Sequence, residues 1–116
     1  MSRLRLRIDF DGDRALGPGK IRLLELVAEK GSISAAGRAM DMSYRRAWVL
    51  VDTLNRTFRL PVVETRGGGA GGGGAVLTEF GADLVLRYRT MEVTAREALE
   101  QHLEALERVL APGSGI

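Results

Sequence analysis

The chain has 116 residues, of which 45% are hydrophobic and 28% are charged, the composition of one soluble globular domain with a modest core. It contains no cysteine and no window of about 20 apolar residues, which excludes a disulfide framework, a thiolate metal site and a membrane-spanning helix. The densely charged N-terminus is not a secretory signal, so these features together predict a cytoplasmic protein with no membrane partner.

Charge is distributed unevenly along the chain. Residues 1–66 contain 13 Arg or Lys against 8 Asp or Glu, whereas residues 67–116 contain 4 against 7. A basic first part is typical of a chain that faces a polyanion, and the acidic second part indicates a different role.

The first predicted elements are a strand and a helix. Apolar side chains alternate with Arg and Asp over residues 3–10, which is the period of a half-buried strand. The sequence DGDRALGPG then predicts a turn, and Pro18 suits the first turn of a helix. An apolar stripe at helical spacing follows, and Gly31 is the expected C-cap of this helix.

Residues 33–58 predict a helix-turn-helix, in which a short helix and a longer one are joined by a tight turn. Ser34 is the expected N-cap of the short helix, whose alanines and glycine permit close approach of the second helix. Ser43 is the expected N-cap of that second helix, and the N-terminal end of this helix is basic. Its apolar residues recur at the spacing of a core-facing stripe, namely Ala47, Leu50, Val51, Leu54 and Phe58.

A β-hairpin with a glycine-rich tip is predicted over residues 62–78. Two β-prone segments, 62–65 and 75–78, flank a run with seven glycines in the eight positions 67–74. The run is similar to a phosphate-binding loop, but no G-K-[S/T] follows it and the next segment has strand character, which argues against a nucleotide site. We expect a wing whose tip brings backbone amides close to a phosphate.

The last predicted element is a helix over residues 79–110, capped by Thr78 and followed by a flexible tail over residues 111–116. At 1.5 Å per residue it would be about 48 Å long, which is more than this small domain can cover. The second half therefore needs a partner, most simply the same helix of a second subunit in a homodimer. The residues expected at this dimer interface are Leu84, Tyr88, Met91, Ala95, Leu99, Leu103, Leu106 and Leu110.

The sequences GSISAAGRAMDMSYRRAW and VVETRGGGAGGGGAVLTEFGADL closely resemble the N-terminal DNA-binding domain of the ModE family of molybdate-responsive regulators, a relative of the LysR-type domain. The resemblance extends from Leu4 to about Leu110. It implies an α+β, mostly α fold: a winged helix-turn-helix with an N-terminal strand, a Gly-tipped β-hairpin wing and a long C-terminal dimerisation helix. ModE proteins carry C-terminal molybdate-binding modules, so we expect this chain to be a stand-alone DNA-binding form with no molybdate site of its own.

The helix-turn-helix pattern predicts that double-stranded DNA is the partner. Arg45 and Arg46 lie in the first turn of the second helix, the end that meets base edges, and guanidinium groups pair bidentately with guanine. Ser32 and Ser34 lie where free helix N–H groups attract a phosphate, although simple capping explains Ser34 equally well. The residues predicted to contact DNA are Ser32, Ser34, Ser43, Tyr44, Arg45, Arg46, Val49, Arg56, Arg66, Gly71 and Gly72.

Several side chains have a structural alternative. Arg38 and Arg56 are expected to contact the DNA backbone or to form ion pairs within the chain. Arg66 could reach a phosphate or a minor groove, or could pair with Glu64 across the hairpin. Trp48, the only tryptophan, is expected to be mostly buried and to brace the second helix.

The sequence predicts neither an enzyme nor a cofactor site. His102 is the only histidine and has no paired carboxylates around it, and neither a metal-ligating cluster nor an activated nucleophile is evident. The predicted function is a sequence-specific transcription regulator that binds an inverted-repeat operator as a homodimer. The alternative is a protein-interaction module with the same fold that pairs with a separate effector-sensing chain.

Overall fold

The computed structural model describes residues 2–67 and 74–113. They form a mixed, mostly helical fold with two small antiparallel hairpins, which confirms the predicted winged helix-turn-helix followed by a long helix. In chain order the elements are β1 (Ile8–Asp9), β2 (Ala15–Leu16), α1 (Pro18–Lys30), α2 (Ile33–Ala39), α3 (Tyr44–Thr57), β3 (Val63–Thr65), β4 (Ala75–Leu77) and α4 (Glu79–Arg108).

The N-terminal strand is shorter than predicted. Only Ile8 and Asp9 pair with a strand, antiparallel to β2, while residues 2–7 lie outside any sheet of the described chain. The alternation of side chains persists there because Leu4 and Leu6 are half-buried and the alternating arginines, Arg3, Arg5 and Arg7, are exposed.

Residues 2–6 contact α4 where a strand partner was expected. The Tyr88 hydroxyl donates to the carbonyl oxygen of Leu6, and the N–H of Ser2 donates to the Glu107 carboxylate over 2.6 Å. The Ser2 hydroxyl donates to the same carboxylate, and these two hydrogen bonds from Ser2 hold the pKa of Glu107 below its ordinary value. The alternation of apolar and charged residues in this segment therefore reflects its packing on α4 and not pairing in a sheet.

Helix α1 forms the centre of the core. Pro18 occupies its first turn, and Gly31 ends it in the left-handed conformation with φ of 70°, as predicted. Leu23, Leu24 and Val27 are fully buried in one cluster that also contains residues of α2, α3, the wing strands and α4. The helix-turn-helix and the wing are thus anchored in the same apolar cluster.

Helix α4 leaves this core after its first turns. Its buried residues, Gly81, Leu84 and Tyr88, all lie near its N-terminal end, whereas the helix continues to Arg108, two residues short of the predicted end. The radius of gyration is 17.4 Å, compared with the roughly 13 Å expected for a compact domain of this size. The C-terminal half of α4 therefore extends beyond the core cluster and keeps contacts with the N-terminal segment through Ser2.

The burial of Leu84 and Tyr88 corrects part of the predicted dimer interface. Leu84 is 7% exposed and Tyr88 is 1% exposed, because both pack into the core of their own chain. Burial also raises the pKa of the Tyr88 phenol. Neither side chain is available to a second subunit in this conformation.

An ion pair joins α4 to α1 at the point where α4 leaves the core. Two nitrogens of Arg89 donate to the two carboxylate oxygens of Glu25 over 2.8 and 3.0 Å, and a third donates to Glu92 over 2.7 Å. The hydrogen bonds from Arg89 hold the pKa of Glu25 below its ordinary value. The direction in which α4 projects is therefore fixed by a bidentate contact as well as by apolar packing.

None of the four helices in residues 2–67 and 74–113 combines the length and hydrophobicity that a bilayer crossing requires.

Candidate nucleic-acid interface

The helix-turn-helix is compact because α2 and α3 approach each other at residues without bulk. A Cβ atom at Gly37 would lie 2.8 Å from the Cβ of Ala47, so a larger residue at position 37 would push the helices apart. Between the helices, Asp41 has a positive φ of 56°, and the N–H groups of Met40 and Met42 both donate to the Gly37 carbonyl. This geometry confirms the predicted tight turn.

Helix α2 begins two residues earlier than predicted. Ser32 is its N-cap, since the Ser32 hydroxyl accepts a hydrogen bond from the N–H of Ala35 over 3.1 Å. Ile33 is the first residue of the helix, and its side chain is buried. The hydroxyl of Ser34 instead accepts from the guanidinium of Arg38 over 2.9 Å. The assignment of Ser34 as the cap is therefore wrong, and Arg38 is held within the chain.

Helix α3 presents its first turns to solvent. Ser43 caps it as predicted, with its hydroxyl accepting from the N–H of Arg46 over 3.1 Å. Tyr44, Arg45 and Arg46 are exposed, while Ala47 faces the core. Within the described ranges neither arginine side chain forms an ion pair or a hydrogen bond. Two guanidinium groups are therefore left unpaired at the N-terminal end of α3.

Trp48 is not buried, contrary to the prediction. It is 42% exposed, and the neighbouring Val49 is 54% exposed. The core stripe of α3 passes through Ala47 and Val51, and Trp48 lies one residue off that stripe, on the side that faces the wing. Its indole lines a groove with Tyr44, so it forms part of the exposed surface and braces nothing in the core.

The wing forms the other wall of this groove. Strands β3 and β4 pair antiparallel, with Glu64 opposite Val76, and the N–H of Arg66 donates to the Gly74 carbonyl over 2.7 Å. Within the described residues Arg66 makes no ion pair with Glu64. The groove has a volume of about 260 Å³ and is lined by Ser32, Ile33, Ser34, Tyr44, Trp48, Thr65, Arg66, Gly67, Gly74 and Ala75. The predicted contacts of Gly71 and Gly72 lie outside the described residues.

Arg56 lies further along α3 and forms an ion pair. Its guanidinium contacts the Asp52 carboxylate over 2.9 Å, with the Arg56 side chain largely exposed and the Asp52 side chain half-buried. The alternative of an ion pair within the chain is therefore observed for Arg56. Its charge is partly neutralised by Asp52, in contrast to those of Arg45 and Arg46.

Three side chains that lie beside or support this surface were missed by sequence reasoning. Arg7 and Lys20 line one cavity of about 280 Å³ together with Arg46, which places two further cations beside α3. Asn55, on the opposite side of α3, holds the wing through hydrogen bonds to β3. The alternating arginines pointed to basic character, but no local signal shows that position 7 lies next to position 46.

The site has the chemistry of a binding surface. In the part of the chain that the structure describes, no three His, Cys, Asp or Glu side chains lie close enough together to hold a metal ion. The groups that converge are arginines, hydroxyls and aromatic rings, which suit contacts to phosphates and base edges.

Comparison with known proteins agrees with this geometry. Residues 19–82 match the model of the family described as "Bacterial regulatory helix-turn-helix protein, lysR family". The match covers more than half of the chain and includes α1, the helix-turn-helix and both wing strands.

The similar curated proteins are ModE and Mop proteins. The chain is 38% identical to "Molybdenum transport protein ModE" of Azotobacter vinelandii over 105 residues, which cover 90% of this chain and 39% of that protein. It is 41% identical over 94 residues to "Molybdenum-pterin-binding protein MopA" of Rhodobacter capsulatus, covering 81% and 36%. It is also 36% identical over 83 residues to "DNA-binding transcriptional dual regulator ModE" of Escherichia coli, covering 72% and 32%.

The chain thus spans less than two fifths of the length of the relatives that it matches. The resemblance to ModE proteins that the two sequence signatures indicated is confirmed. The chain belongs to the lysR family of bacterial regulatory helix-turn-helix proteins, a family of DNA-binding transcription regulators.

Proposed function

We propose that this chain regulates transcription by binding an inverted-repeat operator as a homodimer. The observation that carries the proposal is the pair Arg45 and Arg46, whose guanidinium groups are exposed and unpaired within the described ranges at the N-terminal end of α3. In a helix-turn-helix this end of the recognition helix enters the major groove. A guanidinium fork that pairs with guanine O6 and N7 discriminates by about 1–3 kcal/mol.

Contacts to the DNA backbone would flank the recognition helix. Ser32 and Ser34 at the start of α2, with Arg66 in the wing, line one side of α3. Arg7 and Lys20 lie with Arg46 on the other side. Cations on both sides of α3 suit a duplex, because a phosphate strand borders each side of the major groove.

The dimer contact would be made by the C-terminal half of α4. The proposed interface consists of the residues of the predicted stripe that are not buried in the core of their own chain. They share one face of the helix: Met91, Ala95, Leu99, Leu103, Leu106 and Leu110. A twofold axis through this face would relate two copies of α3, which would then bind half-sites about 34 Å apart, one turn of DNA.

Two of the three relatives are named for molybdenum transport or molybdenum-pterin binding. The proposal for this chain is limited to DNA binding, for which the third is named. A cytoplasmic location is part of the same proposal, since operator DNA lies there.

Selection of bound duplexes from a random DNA pool tests this function. We expect an inverted repeat with guanine in each half-site and an affinity that falls steeply between 50 and 200 mM salt. Arg45→Ala with Arg46→Ala should reduce affinity at least tenfold. Arg87→Ala with Arg108→Ala, on α4, removes the same charge and is the matched control. Unchanged binding by the Arg45/Arg46 variant would exclude α3 as the recognition helix, and a complete lack of DNA binding would favour the interaction-module alternative.

A further inference from the structure

Helix α3 exposes three large apolar side chains close together. Tyr44 is 56% exposed, Trp48 is 42% exposed and Val49 is 54% exposed, although the apolar residues on the other face of this helix are buried. Contiguous apolar surface of this kind marks a binding site in a soluble protein, because exposure to water is unfavourable.

The three side chains form part of an ordered surface. Residues four positions apart lie on the same side of a helix, so Tyr44 stands beside Trp48 and Arg45 stands beside Val49. The face therefore has an aromatic row next to the wing groove and a second row in which an arginine precedes a valine. Polar and apolar recognition groups alternate across one surface about one and a half turns long.

The charges around this surface select DNA as its occupant. Arg45 and Arg46 adjoin the apolar side chains, and Arg66 with two serine hydroxyls lines the groove next to Trp48. An anionic partner with small apolar groups at fixed positions matches this arrangement. In the major groove, the apolar group that a base pair presents is the C5-methyl group of thymine.

We propose that Trp48, together with Tyr44 and Val49, contacts thymine methyl groups and so adds thymine to the bases that this chain selects. The inference rests on the proposed DNA-binding function and adds a base class to it. Each half-site carries thymines next to the guanine bound by arginine. Val49 has no polar atom in its side chain, so its only favourable contact in the groove is apolar.

Uracil substitution tests this inference because it removes only the methyl group and keeps the Watson–Crick edge. The probe is the duplex selected by the wild-type protein from a random pool, with uracil replacing one thymine at a time. At contacted positions the wild-type Kd should rise about fourfold, the change that corresponds to one buried methyl-sized group. In Trp48→Ala or Val49→Ala that loss should disappear at the thymine the missing side chain contacts.

Leu86→Ala, an exposed apolar residue of α4, is the matched control and should keep the thymine preference. A second measurement uses the emission of Trp48, the only tryptophan, which DNA should protect from quenching by acrylamide. A half-site without thymine, equal binding of thymine and uracil duplexes, or unchanged quenching overturns the inference. If the wild-type protein still binds its operator in a salt-sensitive way in these cases, the proposed function stands and only the thymine inference fails. If the wild-type protein shows no such binding, the inference and the proposed function both fail.

Discussion

The side chain of Asn55 and the backbone of Val63 exchange two hydrogen bonds. The Asn55 carbonyl oxygen accepts from the N–H of Val63 over 3.0 Å, and its amide nitrogen donates to the Val63 carbonyl over 3.2 Å. The same oxygen accepts from the N–H of Val62 over 2.7 Å. The Asn55 side-chain amide of α3 thus forms hydrogen bonds to Val62 and Val63 that a neighbouring strand would otherwise supply.

Asn55→Ala should destabilise the fold and displace the wing. It would leave the N–H groups of two buried residues, Val62 and Val63, without an acceptor, at a cost of about 1–3 kcal/mol each before relaxation. Urea denaturation should show the loss as a lower midpoint. Asn55→Asp keeps the acceptor for both N–H groups but places a carboxylate oxygen against the Val63 carbonyl, so part of the loss should remain. A stable Asn55→Ala protein would contradict the assigned role.

Gly81→Ala should be severely destabilising. A Cβ atom at position 81 would overlap the carbonyl oxygen of Val62, and that backbone atom cannot move aside as a flexible side chain would. Overpacking typically costs about 1–3 kcal/mol or more. Gly19→Ala in α1 is the control, because nothing lies within 4 Å of the added atom. We expect a clearly lower melting temperature for the first variant only, and equal values would contradict this contact.

Leu106→Glu should weaken the proposed dimer without unfolding the chain, since Leu106 is 65% exposed. A charge on the interface stripe would be buried by association, which is unfavourable. Leu86→Glu is the matched control, because Leu86 is equally exposed and lies about 200° around α4 from Leu106 at 100° per residue. Sedimentation equilibrium should detect a higher dissociation constant for Leu106→Glu alone. Equal dissociation constants would exclude this face.

Glu25→Gln should make stability depend less on pH. Arg89 lowers the pKa of Glu25 in the folded state below 4.5, so folding favours the carboxylate. The stabilisation is complete above the unfolded pKa and is lost as the pH falls through the lower folded pKa. Because both side chains are partly exposed, we expect about 0.5–1 kcal/mol at neutral pH. Unfolding by urea between about pH 7 and pH 2.5 should show the two proteins converging.

The control for this comparison is Glu97→Gln. Glu97 is an exposed carboxylate of α4 that forms no ion pair within the described residues. A wild-type advantage over Glu25→Gln that stays constant down to the lowest pH would contradict the ion-pair explanation.

The elements that could be predicted from the sequence are those with local signals. Ser43 and Thr78 accept hydrogen bonds from N–H groups three residues ahead, and Gly31 adopts a positive φ, so each cap depends on neighbours in the chain. Helical and strand periodicity likewise reports which side of an element is buried.

The features that escaped prediction depend on partners distant in sequence. The apolar stripe of α4 is continuous, so its spacing cannot show that Tyr88 packs into the core while Leu106 is exposed. An aromatic residue next to a core stripe suggests burial, yet Trp48 is exposed. Asn55 carries no signal at all, because a helical amide becomes structural only when a strand lies opposite it.

The wing is tied to α3 and to the C-terminal end of α1, and its own two ends are tied to each other. Besides the bonds of Asn55, the N–H of Ala75 donates to the Gly31 carbonyl over 2.9 Å, and the Thr78 hydroxyl donates to the Pro61 carbonyl over 2.7 Å. The recognition helix and the described part of the wing are therefore preorganised as one rigid surface. Association with a duplex then loses little conformational entropy in these elements, so substitutions that loosen the ties should weaken binding even where they touch no DNA.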